Sequence, residues 1–174
     1  MSTPLKSCFP PVVDARIRLL VLGSLPGEAS LARGQYYAHP QNQFWRLIEA
    51  VTGRELVGAS YEARLATLLA AGVGLWDVVG EARRPGSLDG AIRDVRPNCL
   101  RELIGTLPRL RAVAFNGATA SAIGRKQLGA DPGAVLVSLP SSSPAYTSPF
   151  EAKRAAWAPL AAFLANGDAA VASD

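Results

Sequence analysis

Short runs of consecutive apolar residues alternate along this chain with segments in which apolar residues recur every three or four positions. Four of the runs, at residues 18–22, 73–79, 112–115 and 135–139, have the length and composition of buried strands. Continuous apolar runs are typical of strands that are covered on both faces in a parallel sheet. The pattern therefore predicts a central, mostly parallel, four-stranded sheet.

The segments between and after these runs predict helices. Phe44, Leu47, Ile48 and Val51 follow helical spacing, and Gly53 is a typical helix end. Four more helices are expected: one over residues 60–71, one with Pro97 in its first turn, a short one over residues 118–127, and a last one that starts at a capping box over residues 148–151 and is kinked by Pro159.

Strands that alternate with helices in this way are typical of α/β folds. We predict a three-layer αβα sandwich. With 174 residues and a mass of 18.2 kDa the chain has the size of one domain, so a single domain is expected over residues 1–174. Residues 166–174 are expected to form a frayed C-terminal tail, because they are small and acidic and lack apolar periodicity.

Composition narrows the possible functions. Eighteen Lys and Arg against fourteen Asp and Glu give a net charge of +4, which favours a polyanionic partner. No segment is apolar over the length of a membrane span, and the N-terminus lacks the centre of a signal peptide, so a soluble cytoplasmic protein is expected. Cys8 and Cys99 are too few for a disulfide framework or a four-thiolate metal site. We expect two reduced, buried thiols and no metal.

A glycine-rich corner, Gly23-Ser24-Leu25-Pro26-Gly27, follows the first predicted strand. It lacks the third glycine of a dinucleotide fingerprint and the Gly-Lys-Ser/Thr of a triphosphate loop. Its glycines permit a backbone to approach a ligand closely, and its proline stiffens the turn. The corner is either a ligand-contacting turn or a plain connection between strand and loop.

The loop that follows, residues 28–43, is unusually long for a compact domain and is therefore a candidate for function. It carries Tyr36, Tyr37, the only histidine, His39, and Asn42, just before Phe44. Structural roles are also open: the residue type and position of Asn42 favour the cap of a helix that begins at Gln43, His39 fits a surface position, and Phe44 fits a core anchor.

Polar residues also follow the other three strands. Asp77 lies in GLWDVV, Asn116 in VAFNG, and a serine-rich segment in LPSSSPAY. In α/β folds ligands bind at the carboxyl ends of the strands, so these segments are expected to meet there. The hydroxyl and backbone N–H groups of the serine-rich segment suit contact with phosphate or sugar.

Taken together, these motifs resemble the uracil-DNA glycosylase superfamily, most closely its hypoxanthine-DNA (deoxyinosine) glycosylase branch. The similarity runs over about residues 18–157. It implies a uracil-DNA glycosylase-like fold, in which the glycine-rich corner is motif 1, the loop under the flipped base and its sugar. PSSSPAY is similar to motif 2, which presses on the DNA backbone near the lesion.

The resemblance also implies residue roles. Asn42 matches the asparagine that orients the attacking water in that branch, and His39 is a second catalytic candidate. The implied base-binding residues are Ser24, Leu25, Pro26, Gly27, Tyr37, Phe44, Asp77 and Asn116, and the implied DNA-binding residues are Ser141, Ser142, Ser143, Pro144 and Tyr146. Two positions depart from the superfamily pattern: Ser141 replaces a histidine that donates to the base, and Asp77 replaces an asparagine that reads its edge.

The implied function is that of a monofunctional DNA glycosylase of base excision repair, without cofactor and acting as a monomer. It would flip out uracil or hypoxanthine and hydrolyse the N-glycosidic bond. A Schiff base with the sugar is not expected, because Lys6, Lys126 and Lys153 lie outside the motifs. Phosphate contacts are expected from residues 83–84 and 125–126.

Two other functions also fit the residues. One is a nucleotide- or sugar-phosphate-binding α/β enzyme that uses the same corner for a small molecule. The other is a DNA-binding protein that detects damage without cleaving.

Overall fold

The computed structural model describes residues 2–166. Over this part of the chain the strands are β1 (Leu5–Ser7), β2 (Leu19–Gly23), β3 (Val73–Asp77), β4 (Val79–Arg83), β5 (Arg93–Pro97), β6 (Ala112–Asn116) and β7 (Val135–Leu139). The helices are α1 (Glu28–Arg33), α2 (Phe44–Thr52), α3 (Tyr61–Ala71), α4 (Leu100–Gly105), α5 (Ala118–Leu128), α6 (Phe150–Trp157) and α7 (Ala161–Leu164), with 3-10 turns at Asp89–Ala91 and Ala158–Leu160.

The central sheet is parallel throughout, with the strand order β3-β2-β6-β7. Its strands lie within one residue of three of the apolar runs and take the first five residues of the fourth, 73–79, so the predicted sheet is confirmed. All four carboxyl ends therefore lie at one edge of the sheet, where the polar segments begin.

Two hydrophobic clusters cover the two faces of this sheet. Leu19 and Val21 of β2 point into one cluster, which α2 completes with Phe44 and other residues. Leu20 and Leu22 point into the other, which includes residues of α4 and α5. Successive strand residues face opposite sides, so a continuous apolar run fills both clusters. This arrangement is the predicted three-layer αβα sandwich.

A second, antiparallel sheet with the order β1-β4-β5 was not expected from the sequence. The predicted strand over residues 73–79 divides at Val78, so that β3 belongs to the central sheet and β4 to the small one. All five residues of β5 are exposed, and a strand without a buried face has no apolar alternation. The connection from β4 to β5 returns to the edge of the central sheet that holds the polar segments.

The helix predictions that involve prolines have mixed outcomes. Pro97 ends β5 instead of starting a helix, and α4 begins three residues later at Leu100, so that prediction is wrong. The predicted capping box also fails, because Pro149 occupies the N-cap position and no side chain caps α6. The expected effect of Pro159 is confirmed, since α6 and α7 are separated by a 3-10 turn that contains it.

Other expectations concern single residues. Cys99 is exposed and only Cys8 is partly buried, so the prediction of two buried thiols is wrong. Over residues 2–166 no helix has both the length and the apolar character needed to span a bilayer. The predicted frayed tail falls, apart from Asn166, outside the described residues.

Candidate active site

A cavity of about 710 Å³ lies at the carboxyl ends of the central strands. This volume is in the usual range for small-ligand sites. Every residue of the predicted site except Phe44 lines it. Segments that are up to about 120 positions apart in sequence therefore meet in one cleft because the parallel strands end at the same edge.

Three polar side chains form a chain of hydrogen bonds across the cleft. Asn116 Nδ2 donates to Ser142 Oγ (2.9 Å), and Ser142 Oγ donates to Asn42 Oδ1 (2.8 Å). The backbone N–H of Ser142 donates back to Asn116 Oδ1 (2.8 Å). Asn116 and Ser142 are buried, which strengthens these bonds. The chain fixes the serine-rich loop against the loop that carries Asn42.

Asn116 joins the serine-rich loop to the end of β6. Its Oδ1 accepts from the Ser142 N–H and its Nδ2 donates one of its two hydrogens to Ser142 Oγ, so its expected part in base binding stays a prediction. Asn116 lines the cavity from this fixed position.

Asn42 has one end engaged and the other free. Its Oδ1 accepts from Ser142 and from the backbone N–H of Phe44 (2.9 Å), which is the first residue of α2. The N-cap of α2 is Gln43 and no side chain caps this helix, so the expected capping role is wrong; the bond to the Phe44 N–H is a local turn just before the helix. Two donors occupy the two lone pairs of the carboxamide oxygen. The Nδ2 group donates to none of the described residues and is available to the cavity.

His39 stands on the exposed side of the same loop. Its Nδ1 accepts from the backbone N–H of Gln41 (3.1 Å). A neutral imidazole that accepts at Nδ1 carries its proton at Nε2, so the free nitrogen of His39 is a donor. In this state His39 is able to bind water or phosphate but is not placed to accept a proton.

Tyr37 lies between the cavity and Phe44. The two rings are stacked with centroids 3.9 Å apart and planes inclined by 17°, and Phe44 is fully buried. Phe44 was expected to bind the base, and this is corrected: its ring is fully buried behind Tyr37, and Tyr37 is the ring that lines the cavity. Tyr37 has a φ of 53°, a left-handed conformation that is uncommon for a residue with a side chain.

Asp77 lies at the end of β3 beside Tyr37 and is 4% exposed. Its Oδ2 and the Tyr37 hydroxyl are buried without a hydrogen-bond partner among the described residues. Burial raises the pKa of Asp77 to about 7, with a further rise from Asp89 and a partial opposing effect of Arg84. Gly23 is required here, since a Cβ would lie 2.6 Å from Asp77 Oδ1 and 3.0 Å from the Tyr37 hydroxyl.

Arg84 binds the backbone of the glycine-rich corner from within the protein interior. Its fully buried guanidinium donates to the carbonyls of Pro26 (2.5 Å) and Leu25 (3.4 Å). Nη1 lies 3.8 Å from Asp89 Oδ1, which also accepts from Ser24 Oγ (2.6 Å). Arg84 was expected to contact phosphate, and this is wrong because its side chain is fully enclosed by protein. It positions the corner instead.

The serine-rich loop has a similar support. Lys153 of α6 is 1% exposed, and its Nζ donates to the Ser143 carbonyl (3.3 Å). Burial lowers the pKa of Lys153. Ser141 Oγ accepts from the Ser143 N–H (3.1 Å), which stiffens the turn. Tyr146 is half exposed at the end of this loop.

The chain matches the family model of the uracil DNA glycosylase superfamily over residues 10–161. It belongs to this superfamily.

Two hypoxanthine DNA glycosylases are similar in sequence to this member of the superfamily. Hypoxanthine DNA glycosylase of Methanosarcina barkeri is 43% identical over 112 residues, which are 64% of this chain and 71% of the relative. The protein of the same name from Methanosarcina acetivorans is 42% identical over 113 residues, 65% and 72% of the two chains.

A solution NMR structure of a Methanosarcina acetivorans protein, described as a candidate uracil DNA glycosylase, has the same fold. It superposes with a TM-score of 0.82 at 36% identity and covers 92% of this chain and 99% of that one. The resemblance seen in the motifs is thereby confirmed for the family and the fold.

Sequence reasoning missed one wall of the superfamily cleft. Ser87, Leu88 and Asp89 line the cavity, although they belong to the connection between β4 and β5. The Pro85-Gly86 and Asp89-Gly90 pairs do mark turns in the sequence. The sequence around these turns does not show that they reach the cavity, because their position depends on the small antiparallel sheet, which was not predicted.

Proposed function

We propose that this DNA glycosylase removes hypoxanthine from DNA by hydrolysis of the N-glycosidic bond, with uracil as the second candidate base. The observation that supports it most strongly is the meeting of both superfamily motifs at one base-sized cavity, with Asn42 fixed by Ser142 at its wall. The names of the two Methanosarcina relatives favour hypoxanthine.

Access to the bond requires that the nucleotide leave the base stack. Flipping costs a few kcal/mol, and the cost is smallest for a mispaired base. Deaminated bases are mispaired, so part of the selectivity arises before the base reaches the cavity. Once inside, the base would lie against Tyr37, which lines the cavity and is held by its stack on Phe44.

Bond cleavage leaves positive charge on the sugar and negative charge on the base. A water molecule must therefore be held on the far side of the sugar, where its oxygen bonds to the anomeric carbon as the bond to the base breaks, and the proton that it loses goes to the departing base anion. In our proposal Asn42 holds it through Nδ2, because Oδ1 already accepts two hydrogen bonds. The two bonds fix the carboxamide plane before substrate binds, and such positioning can contribute several kcal/mol. His39 would assist through its Nε2 donor.

The departing base needs donors for its growing negative charge. Asp77 can donate only when it is protonated, and a pKa of about 7 leaves a substantial protonated fraction near neutral pH. The Tyr37 hydroxyl is a second unused donor beside it. The N-terminus of α5, whose residues Ala118 and Thr119 line the cavity, adds a favourable partial positive charge.

The product is expected to be an intact abasic site. None of the three lysines lines the cavity, and both Lys153 and Lys6 are bonded to backbone carbonyls behind it. No amine among the described residues is therefore placed to attack the sugar. Borohydride should trap no covalent complex between the protein and lesion-containing DNA.

The deciding experiment uses duplexes that carry one hypoxanthine or one uracil. Strand breaks at the lesion after alkali treatment support the glycosylase, and the ratio of the two rates identifies the preferred base. Retention on lesion DNA without breaks would instead support a damage-binding protein. Neither breaks nor retention would point to the small-molecule enzyme.

A further inference from the structure

An arginine and an aromatic ring join the first turns of two helices beside the serine-rich loop. Arg46 is the third residue of α2, and Phe150 is the first residue of α6. The Arg46 guanidinium lies over the Phe150 ring, with Cζ 3.9 Å from the ring centroid. A cation is attracted to the face of a ring, and the N–H donors in the plane of a guanidinium stay available to another partner. Phe150 therefore holds Arg46 in place without using its donors.

The starts of both helices are attached to the serine-rich loop. The N–H of Gln43, the residue before α2, donates to the Ser142 carbonyl (3.0 Å). Lys153, in the first turn of α6, donates to the Ser143 carbonyl (3.3 Å). Arg46 comes three residues after Gln43, which is less than one helical turn. It therefore lies at the edge of the sheet that holds the cavity, next to the loop that is similar to motif 2.

The charge of Arg46 has no partner within residues 2–166. Its side chain is exposed and forms neither an ion pair nor a hydrogen bond there. The acid three residues later on the same helix, Glu49, is engaged elsewhere: its Oε2 accepts from the N–H groups of Leu56 (2.8 Å) and Val57 (3.0 Å). The guanidinium is therefore available to an anion from outside the protein.

A groove of about 650 Å³ between α2 and α6 gives an anion access to this guanidinium. Arg46, Phe150 and Arg154 line it. Phe150 is half-buried and packs against the core cluster that α2 completes, so the ring under Arg46 is anchored. A guanidinium with a fixed position and free donors suits the oxygens of a phosphate.

We propose that Arg46, held by Phe150, binds a phosphate of the DNA strand that carries the lesion. The inference rests on the proposed function, because it takes the strand at the serine-rich loop to be that of the substrate. Phosphates of one strand follow each other every ~3.4 Å of the duplex axis, so the contact should lie about one to three nucleotides from the flipped one. Phosphate contacts set the position of a protein on the duplex. Arg46 would thus extend the DNA surface to a groove that neither superfamily motif includes.

The test measures binding to a duplex with a tetrahydrofuran analogue of an abasic site, which has no glycosidic bond to cleave. Wild type, Arg46→Ala and Arg46→Lys are titrated at several salt concentrations. We expect Arg46→Ala to raise Kd at least about fivefold and to reduce the slope of log K against log salt by about 0.9, the value for one phosphate contact. Arg46→Lys keeps the charge without the planar fork and should lose roughly twofold.

A scan with single uncharged methylphosphonates locates the contact. Each duplex replaces one phosphate, within about three nucleotides of the analogue on either side. At one or two neighbouring positions wild type should lose affinity, whereas Arg46→Ala should lose none, because the charge that meets this phosphate is already absent. Equal losses in wild type and Arg46→Ala at every position would overturn the proposal, as would a wild-type Kd in Arg46→Ala.

Arg54→Ala is the matched control. Arg54 is exposed, lines the same groove and forms no ion pair within residues 2–166. It follows the opposite end of α2 and shares a second cavity with Arg18, at the start of β2. Its loss should leave Kd and the salt slope as in wild type. A loss as large as that of Arg46→Ala would show a general effect of charge and would overturn the assignment to Arg46.

Phe150→Leu tests the ring, since it keeps an apolar side chain under Arg46. It should raise Kd about twofold and leave the sensitive phosphate at the same position. A wild-type Kd in this variant would remove Phe150 from the proposal. Thermal melting of each variant verifies that it is folded.

Binding to the analogue does not require excision, so this inference and the proposed function can fail separately. If wild type removes no base and the scan still assigns one phosphate to Arg46, the glycosylase function fails and the contact holds. If wild type excises hypoxanthine and Arg46→Ala binds as wild type does, only the contact fails.

Discussion

The hydroxyl of Ser142 donates a 2.8 Å hydrogen bond to Oδ1 of Asn42, a residue 100 positions earlier in the chain. A backbone bond from the Gln43 N–H to the Ser142 carbonyl (3.0 Å) lies beside it. The serine-rich loop and the loop that carries Asn42 are thus joined directly, and the orientation of the Asn42 amide is set by that junction. Substitution of Asn42 can decide whether its amide acts on the substrate or only joins the two loops.

Asn42→Ala should lower the excision rate at least tenfold and leave DNA affinity within about twofold of wild type. Asn42→Asp retains the oxygen that accepts from Ser142 and Phe44 but lacks the Nδ2 donor. If Nδ2 holds the water, the aspartate variant should melt close to wild type and still lose excision to a similar extent. Single-turnover rates and thermal melting measure both effects.

Gln41→Ala, an exposed neighbour on the same loop, is the matched control for Asn42. It should change neither rate nor melting. An Asn42→Asp variant with wild-type excision would remove the Nδ2 donor from the mechanism.

Asp77 should make stability and activity depend on pH. Its folded-state pKa of about 7 lies above the ordinary value of 3.8, so the native state keeps a proton that the unfolded chain releases. The free energy of unfolding therefore decreases as pH rises from about 4 to 7. Asp77→Asn should remove this slope. Its free energy of unfolding at pH 8 should exceed that of wild type by on the order of 2 kcal/mol, and the difference should disappear toward pH 4.

The same substitution should change the activity profile. Wild-type excision is expected to decline above pH 7 as Asp77 loses its proton, whereas asparagine donates at every pH and should abolish the decline. Asp131→Asn, at an exposed position, is the control for a general charge effect. A decline of equal size in Asp77→Asn would show that another group titrates.

Tyr37 and Tyr36 offer a matched pair for testing a free hydroxyl. The Tyr37 hydroxyl is buried without a partner among the described residues, whereas that of Tyr36 donates to the Pro10 carbonyl (3.1 Å). Tyr37→Phe should therefore be neutral or stabilising by up to about 1 kcal/mol, and Tyr36→Phe destabilising by about 1 kcal/mol. Chemical denaturation of both variants measures the difference.

The activities of the pair should rank in the opposite order. Tyr37→Phe should lower excision at least threefold if its hydroxyl donates to the base, and Tyr36→Phe should retain wild-type excision. Full activity in Tyr37→Phe would leave its hydroxyl without a part in the reaction.

Arg84 should be needed for stability as well as for activity. Arg84→Ala leaves the carbonyls of Leu25 and Pro26 without their donor, and we expect a loss of roughly 3 kcal/mol in unfolding free energy. Excision should fall at least tenfold even where the variant is fully folded, because the corner under the base loosens. Arg83→Ala, at a partly exposed neighbour, should cost under about 1 kcal/mol.

A result in which Arg84→Ala is destabilised but excises normally at low temperature would restrict Arg84 to a role in folding. Measurement at a temperature well below the melting point of the variant makes this distinction.

Much of the fold follows from local patterns in the sequence. Residues 18–22 and 44–53 show their strand and helix directly, because a strand covered on both faces must be apolar throughout and a helix on its surface must be apolar at every third or fourth position. Once the strands are parallel, the position of the polar segments after them predicts a common site. For this reason the expected site residues line the cavity, with the exception of Phe44, which is buried behind Tyr37.

The sequence did not show which polar atoms remain free, because this depends on partners far away in the chain. Asn116 and Asn42 are the same type of residue, yet Asn116 bonds to Ser142 through both Oδ1 and Nδ2, whereas the Nδ2 of Asn42 donates to none of the described residues. Arg83 and Arg84 are neighbours, yet one is partly exposed and the other is buried under the corner.

The sequence by itself determined the layers, the parallel sheet and the edge at which the site lies. Burial of one or both faces of a helix or strand makes apolar residues recur at a fixed spacing along it, and this spacing can be read from neighbouring residues. Only the tertiary structure decided the raised pKa of Asp77, the task of Arg84 and the exposure of Leu88. The burial and hydrogen bonding of these three residues depend on segments that are distant in the sequence, and no local pattern shows which distant segments will pack together.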